Sequence, residues 1–399
     1  MTNIKTKAIF YAYSNNALDH LAPYAVMCNQ KKINSIVIYG EDFIRHKVKP
    51  KSNIVKIFKD LNIGTYDITD FKKNGFIQKI YSFLWSFSNM IEEYQYIPNY
   101  FKNKIKGLCN RIYEHLDTES LGKNIAIKLL KNTERTFVFI DIWNTKKKIQ
   151  NSFLSHIKDK GAIISTNHTP YHFHQTKVAH TFSSLEDIAL VGNHWEEAFK
   201  SSIKQKEIIG SLRFSKKWLK ILDQYSVKQN NARDNKTKVV IITHTEKHTS
   251  DWKRMFELLK KLAKRDDINL CILPHVRGMT NLEPPKELKN VWDSKTTLDV
   301  AVKDSDIVIF WESSGIFEAV LRNKKIFFLS FLSVNNDKYI WKKKAPSNII
   351  INSETELLDA LDNYNKNEFI NNDCFEEIIW PKGDPWLNAS NFLDKTIKS

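Results

Sequence analysis

Three short stretches in the second half of the chain carry side chains suited to holding an anion. "WESSG" supplies Glu312, Ser313 and Ser314, with Glu318 about one helical turn further on. "LPHVRG" supplies His275 and Arg277, and "IITHT" supplies Thr243, His244 and Thr245. A serine just before a helix caps it. The unpaired amides of a first turn and the positive end of the helix dipole favour phosphate. A guanidinium grips phosphate through two parallel bonds, and an imidazole donates to phosphate or to a base. The combination suits a nucleoside mono- or diphosphate, with Glu318 reaching for a ribose hydroxyl.

Each stretch closes an apolar run: "DIVIF", "INLCIL" and "KVVII". Short apolar runs alternating with amphipathic helical patterns predict a parallel sheet covered on both faces. In such a sheet ligands bind beyond the carboxyl ends of the strands, so the three stretches are expected along one edge. An earlier alternation fills the first half, with strands at "KAIFYAYS", "NSIVIYG", "RTFVFIDIW", "GAIISTNH", "DIALVGN" and "KEIIGS". Between the halves, "VKQNNARDNKTK" is polar, lacks an apolar period and reads as a linker. The fold class is therefore α/β, as two Rossmann-like domains, 1–230 and 231–380, with a terminal helix at 381–399.

The chain has 399 residues, and 61 Lys and Arg against 45 Asp and Glu give a net charge of +16. That excess suits an anionic partner. Cys28, Cys109, Cys271 and Cys374 form no CxxC pair, so neither a zinc site nor a disulfide framework is expected. With no apolar run of about 18 residues and no signal-like amino-terminal segment, the expected location is cytoplasmic. An insertion at 72–131 departs from the α/β pattern. Ile77, Ile80, Tyr81, Leu84, Phe87 and Ile91 share one helical face, and the Lys-rich "YFKNKIKG" follows. Such a helix either packs on the core or lies on an anionic membrane, which makes 76–106 the candidate for peripheral contact with the inner membrane face.

With these motifs in view, the second half resembles the nucleotide-binding half of GT-B glycosyltransferases. It is most similar to bacterial surface-carbohydrate enzymes that use CMP- or CDP-linked donors: Kdo transferases, bacterial sialyltransferases and CDP-glycerol polymerases. Those carry a His-Pro motif after one strand and a Ser-Ser motif before a helix; here the motifs read "LPHVRG" and "WESSGIFEAVLRNKKIFFL". "IIGSLRFSKKWL" resembles the segment that ends their first domain and adds Gly210 and Arg213, while "WPKGDPWLNASNFLDKTI" resembles their returning terminal helix. The resemblance covers roughly residues 205–399 and implies two domains facing a central cleft. It also implies a nucleotide-sugar donor on the second half, CMP-linked by preference, an acceptor glycan or lipid-linked glycan on the first, and neither metal nor cofactor. Lipopolysaccharide or capsule synthesis is the implied setting.

Glycosyl transfer needs positive charge on the leaving phosphate and usually a base for the acceptor hydroxyl. Base candidates stand at strand ends of the first half: Asp141 and His168 as a neighbouring pair, then Asp19 and His20. His194 and Glu197 in "VGNHWEEAFK" are weaker candidates of the same kind. "ISTNHTPYHFH" clusters His168, His172 and His174 without a cysteine or carboxylate, so zinc is not expected there. Two other classes stay open. A sugar-nucleotide 2-epimerase would share the architecture but need acidic groups at the donor site. A nucleic-acid binder would suit the charge, yet no helix-turn-helix, RRM or zinc-finger pattern is present, and no nucleic-acid partner is expected.

Overall fold

The structure, a computed structural model, describes residues 6–45, 49–71, 83, 87, 98, 100–102, 104–105, 107–108, 118–131, 133–141, 148–166, 187–194, 203, 205–226, 236–275, 283–366 and 373–398. Two fully parallel sheets organise it. The first has seven strands in the order β3-β2-β1-β4-β5-β6-β7. They are β1 (Thr6–Ala12), β2 (Asn34–Tyr39), β3 (Gly64–Asp67), β4 (Arg135–Asp141), β5 (Gly161–Thr166), β6 (Ile188–Val191) and β7 (Gln205–Ile208). The second has five, in the order β12-β11-β10-β8-β9. They are β8 (Thr237–Ile242), β9 (Ile268–Leu273), β10 (Ile307–Phe310), β11 (Lys325–Leu329) and β12 (Ile350–Ile351).

The apolar runs are continuous because both faces of each sheet are covered. In β1, Ala8, Phe10 and Ala12 enter the core on one face of the first sheet, and Ile9 and Tyr11 enter the core on the other. β4 divides the same way, with Phe137 and Phe139 on the first face and Val138 and Ile140 on the second. Helix α1 (Asn15–Gln30) joins β1 to β2, and α2 (Glu41–Arg45) and α3 (Ser52–Asp60) lie between β2 and β3. α4 (Thr118–Leu130) and α5 (Lys148–Ile157) flank β4, and α6 (Lys216–Tyr225) follows β7. Leu121 and Ile125 of α4 and Phe153 of α5 pack on the Ile9 face. Around the second sheet run α7 (Trp252–Ala263), α8 (Leu298–Asp304), α9 (Ile316–Leu321), α10 (Glu354–Asp362) and α11 (Asp373–Ile379).

α12 (Pro385–Lys398) then returns to the first half. Its Trp386, Ala389, Phe392 and Leu393 join the core containing Phe10 and Tyr24, and Lys31 pairs with Asp394 at 2.7 Å. Four hydrogen bonds tie the crossing. Asn193 Nδ2 donates to Ile378 O (3.2 Å), Ser211 N to Ile379 O (3.0 Å), Trp380 Nε1 to Phe214 O (2.9 Å) and Asn388 Nδ2 to Ile209 O (3.2 Å).

Gly210 lies under this crossing with φ of +88°, and a Cβ there would sit 2.9 Å from Ile379 O and 3.0 Å from Pro385 Cγ. This corrects its expected role at the nucleotide: the glycine is required by backbone conformation and close packing. Most of 76–106 falls outside the described residues, and of the anticipated apolar stripe only Phe87 is among the described ones. Among the described residues no helix is long and apolar enough to cross a membrane. Gly210→Ala is expected to lower unfolding free energy by about 1–3 kcal/mol, the usual cost of a side chain forced into an unfavourable backbone region, as measured by urea denaturation. An unchanged midpoint and slope would contradict the packing role.

Candidate functional site

β8 lies between β9 and β10, so their three carboxyl ends stand side by side. Thr243, just past β8, donates its hydroxyl to Leu273 O at 3.0 Å, and its amide donates to the same oxygen. It is fully buried. The expected ligand contact is therefore replaced by a stitch between two strand ends. That stitch aligns the residues that follow. The His244 and His275 rings lie 4.2 Å apart, and His248 meets His244 edge-on at 4.4 Å. The amide of Thr245 donates to His244 Nδ1 at 2.9 Å, so neutral His244 carries its proton on Nε2. His248 was not singled out from the sequence, although it follows His244 by four residues. Arg277 and His168 lie outside the described residues.

At the end of β10, Glu312 adopts a left-handed backbone with φ of +52°, unusual for a residue with a side chain. Its carboxylate accepts from Ser333 Oγ (2.5 Å), Asn335 N (2.5 Å) and Asn335 Nδ2 (2.7 Å). Burial, reinforced by this carboxylate, holds the Tyr339 phenol well above its ordinary pKa. Glu312 is thus a clamp between the β10 turn and the segment after β11, not the ligand contact expected from its position. Ser313 Oγ accepts from Gly315 N at 3.1 Å. The amides of Ile316, Phe317 and Glu318 already donate to the carbonyls of Ser313, Ser314 and Gly315. With α9 only six residues long, the expected open helix terminus is closed by a tight turn. Half-buried Ser313 and Ser314 follow the end of β10, the strand next to β8.

Glu318 does not point to an open ribose site. It is 4% exposed and pairs with Arg322 Nη2 at 3.3 Å. Arg322 also grips Asp223 of α6 through two bonds of 3.1 and 2.9 Å. A second link between the halves joins Asn53 Nδ2 of α3 to Asp299 Oδ2 of α8 at 3.0 Å. Burial first, then the neighbouring Asp299 charge, pushes the Glu318 carboxyl up to about 7, against the pull of Arg322, Arg213 and Lys51.

The first half contributes Asp19 and His20 from inside α1. Ser14 caps that helix, and its Oγ accepts from Ala17 N at 3.3 Å. Asp19 Oδ2 is held by Lys51 at 2.6 Å and by Arg213 at 3.3 Å. Arg213 also donates to Asn16 Oδ1 at 3.2 Å and lies 3.5 Å from His20 Nε2. Asp141, the last residue of β4, is fully buried. The fold therefore gathers Asp19, His20, Arg213 and Glu318 at the junction of the halves. Lys51, Asn53, Asp299 and Arg322 join them without a motif to announce them. Among the described residues, no group of three or more His, Cys, Asp or Glu side chains is placed to hold a metal ion.

No family model matches the chain, and no curated protein matches its sequence. Solved structures do. The UDP-GlcNAc 2-epimerase of Methanocaldococcus jannaschii is 9% identical with a TM-score of 0.57, covering 99% of this chain and 100% of that one. A UDP-N-acetylglucosamine 2-epimerase assignment from Listeria monocytogenes is 11% identical with a TM-score of 0.55, covering 99% and 98%. The wall teichoic acid polymerase TagF, in an H548A form, is 13% identical with a TM-score of 0.53, covering 99% and 89%. The chain has the GT-B fold, two Rossmann-like units facing a cleft.

The raised Glu318 carboxyl has a measurable consequence. The folded chain holds this proton more tightly than the unfolded chain, so the contribution to stability is complete below about pH 4.3 and is lost as pH rises through about 7. The melting temperature of the wild type should fall over that interval more steeply than that of Glu318→Gln, in paired calorimetric scans. Parallel profiles would contradict the assignment.

Proposed function

We propose that the chain is a sugar-nucleotide-processing enzyme, and in the first reading a metal-independent glycosyltransferase. The observation that carries this reading is the pairing of His244 and His275, 4.2 Å apart, at adjacent strand ends beside Ser313 and Ser314. That edge of a parallel sheet is where a phosphorylated ligand is expected. The nucleotide would lie on the second half, with imidazole N–H groups and the Ser314 hydroxyl on its phosphates. A CMP- or CDP-linked sugar is the favoured donor, from the sequence resemblance. The acceptor would be a surface glycan or lipid-linked glycan on the first half.

Expulsion of a nucleotide phosphate requires positive charge nearby. Arg213 and Lys51 supply it from the first half, where Asp19 holds both. Asp141 and His168 remain the first candidate bases, with Asp19 and His20 next. The base would act on the acceptor hydroxyl in the transition state, so its removal should lower turnover while donor affinity stays near wild type.

A second reading, a sugar-nucleotide 2-epimerase, is favoured by one feature: Asp299 and Glu318 place two buried carboxyl groups at the junction, one with its pKa near neutrality. Proton transfer at a sugar carbon would suit such a group. UDP release from UDP-GlcNAc without an acceptor, together with a product inverted at C2, would select it over glycosyl transfer.

Thermal-shift titration with CMP, CDP, UDP and GDP tests the shared premise. A nucleotide at about 100 times its dissociation constant should stabilise the fold by about 2.7 kcal/mol. His275→Ala and Ser314→Ala should each weaken that nucleotide about tenfold or more, as expected for hydrogen bonds to a charged group. If none of the nucleotides raises the melting temperature, or both variants keep wild-type affinity, the proposal fails.

A further inference from the structure

Large apolar side chains left in water are concentrated in one part of the chain. Phe83, Phe87, Tyr100, Phe101 and Leu108 are all exposed, and the first, third, fourth and fifth are more than half exposed, at 68%, 63%, 55% and 58%. The only other large apolar side chains so exposed among the described residues are Val55, Ile127, Val334 and Leu387, scattered over the rest. Single exposed apolar residues are ordinary on a soluble surface, whereas a concentration marks an interaction site.

The arrangement is specific. Phe83 and Phe87 are helical residues four apart whose rings stack at 6.2 Å. Tyr100, Lys104 and Leu108 are helical residues at successive spacings of four, and so share a face. Phe101 meets the Tyr100 ring edge-on at 5.7 Å, and Lys104 Nζ lies 5.0 Å from the Tyr100 ring centre. Aromatic rings with a lysine on the same face match the boundary of a bilayer, where rings sit at headgroup depth and the ammonium reaches outward. The charge agrees: "PNYFKNKIKGLCNRIY" at 98–113 contains Lys102, Lys104, Lys106 and Arg111 and no Asp or Glu. A basic, acid-free segment is drawn to anionic headgroups.

We infer that Phe83, Phe87, Tyr100, Phe101, Lys104 and Leu108 form a docking surface for an anionic lipid bilayer. The apolar side chains enter the headgroup boundary and Lys104 pairs with lipid phosphate. This surface is independent of the chemistry proposed for the cleft and stands or falls separately. The full chain is expected to cosediment with phosphatidylcholine vesicles containing about 30% phosphatidylglycerol and to stay in solution with pure phosphatidylcholine. Phe101→Ser with Leu108→Ser should lower the bound fraction about tenfold, and Lys104→Glu about fivefold. All of these side chains are solvent-exposed, so melting temperatures should match the wild type, and Phe83→Ser provides an independent variant of the other helical pair. Absence of wild-type binding to the anionic vesicles overturns the inference. So does wild-type binding by the folded variants. A wild-type dimer in sedimentation that these substitutions dissociate would assign the surface to a second copy of the chain instead.

Discussion

Arg322 grips a carboxylate from each half of the chain. Its guanidinium binds Asp223 through two bonds and reaches Glu318 within its own helix region, with only 9% of the side chain exposed. Removing one member of a buried ion pair typically costs about 3–5 kcal/mol, because the remaining charge is stranded. Here it would also release α9, and with it the turn that carries Ser313 and Ser314. The Asn53–Asp299 bond and the returning α12 brace the same junction from other sides. The relative placement of the two sheet edges thus depends on buried polar contacts as much as on apolar packing.

Those contacts set the electrostatics of the cleft. Asp19 holds Lys51 and Arg213, and Glu318 feels both cations as well as Asp299. Burial first, and then repulsion from Asp299, pushes the Glu318 carboxyl up to about 7 against the pull of the cations. Arg213 and Lys51 are thereby held as fixed positive charge at the junction, the kind of arrangement that makes electrostatic stabilisation effective. On the opposite side of the β10 turn, Glu312 anchors the segment after β11 and keeps the turn from opening.

Both sheets were legible because strands covered on two faces read as continuous apolar runs. β3 escaped notice because "GTYD" is short and only partly buried. The anion-binding edge was legible in its location but less so in its division of labour. Thr243, Glu312 and Gly210 have the residue types and positions of ligand contacts, yet they serve a strand seam, a loop clamp and a chain crossing. A polar residue at a strand end reads the same from sequence whether its partner is a ligand or the next loop. Asn53 and Asp299, separated by 246 positions, carry no local signal at all.

The central claim is that the edge formed by β9, β8 and β10 is the nucleotide site. Two-dimensional NMR of protein containing isotopically labelled histidine tests it directly, with CDP as the titrant. The imidazole signals of His244, His248 and His275 should shift together along one saturable curve. His156 of α5, on the other half of the chain, should stay in place. Saturable binding that leaves the three clustered histidines unmoved, or moves His156 instead, would contradict the account.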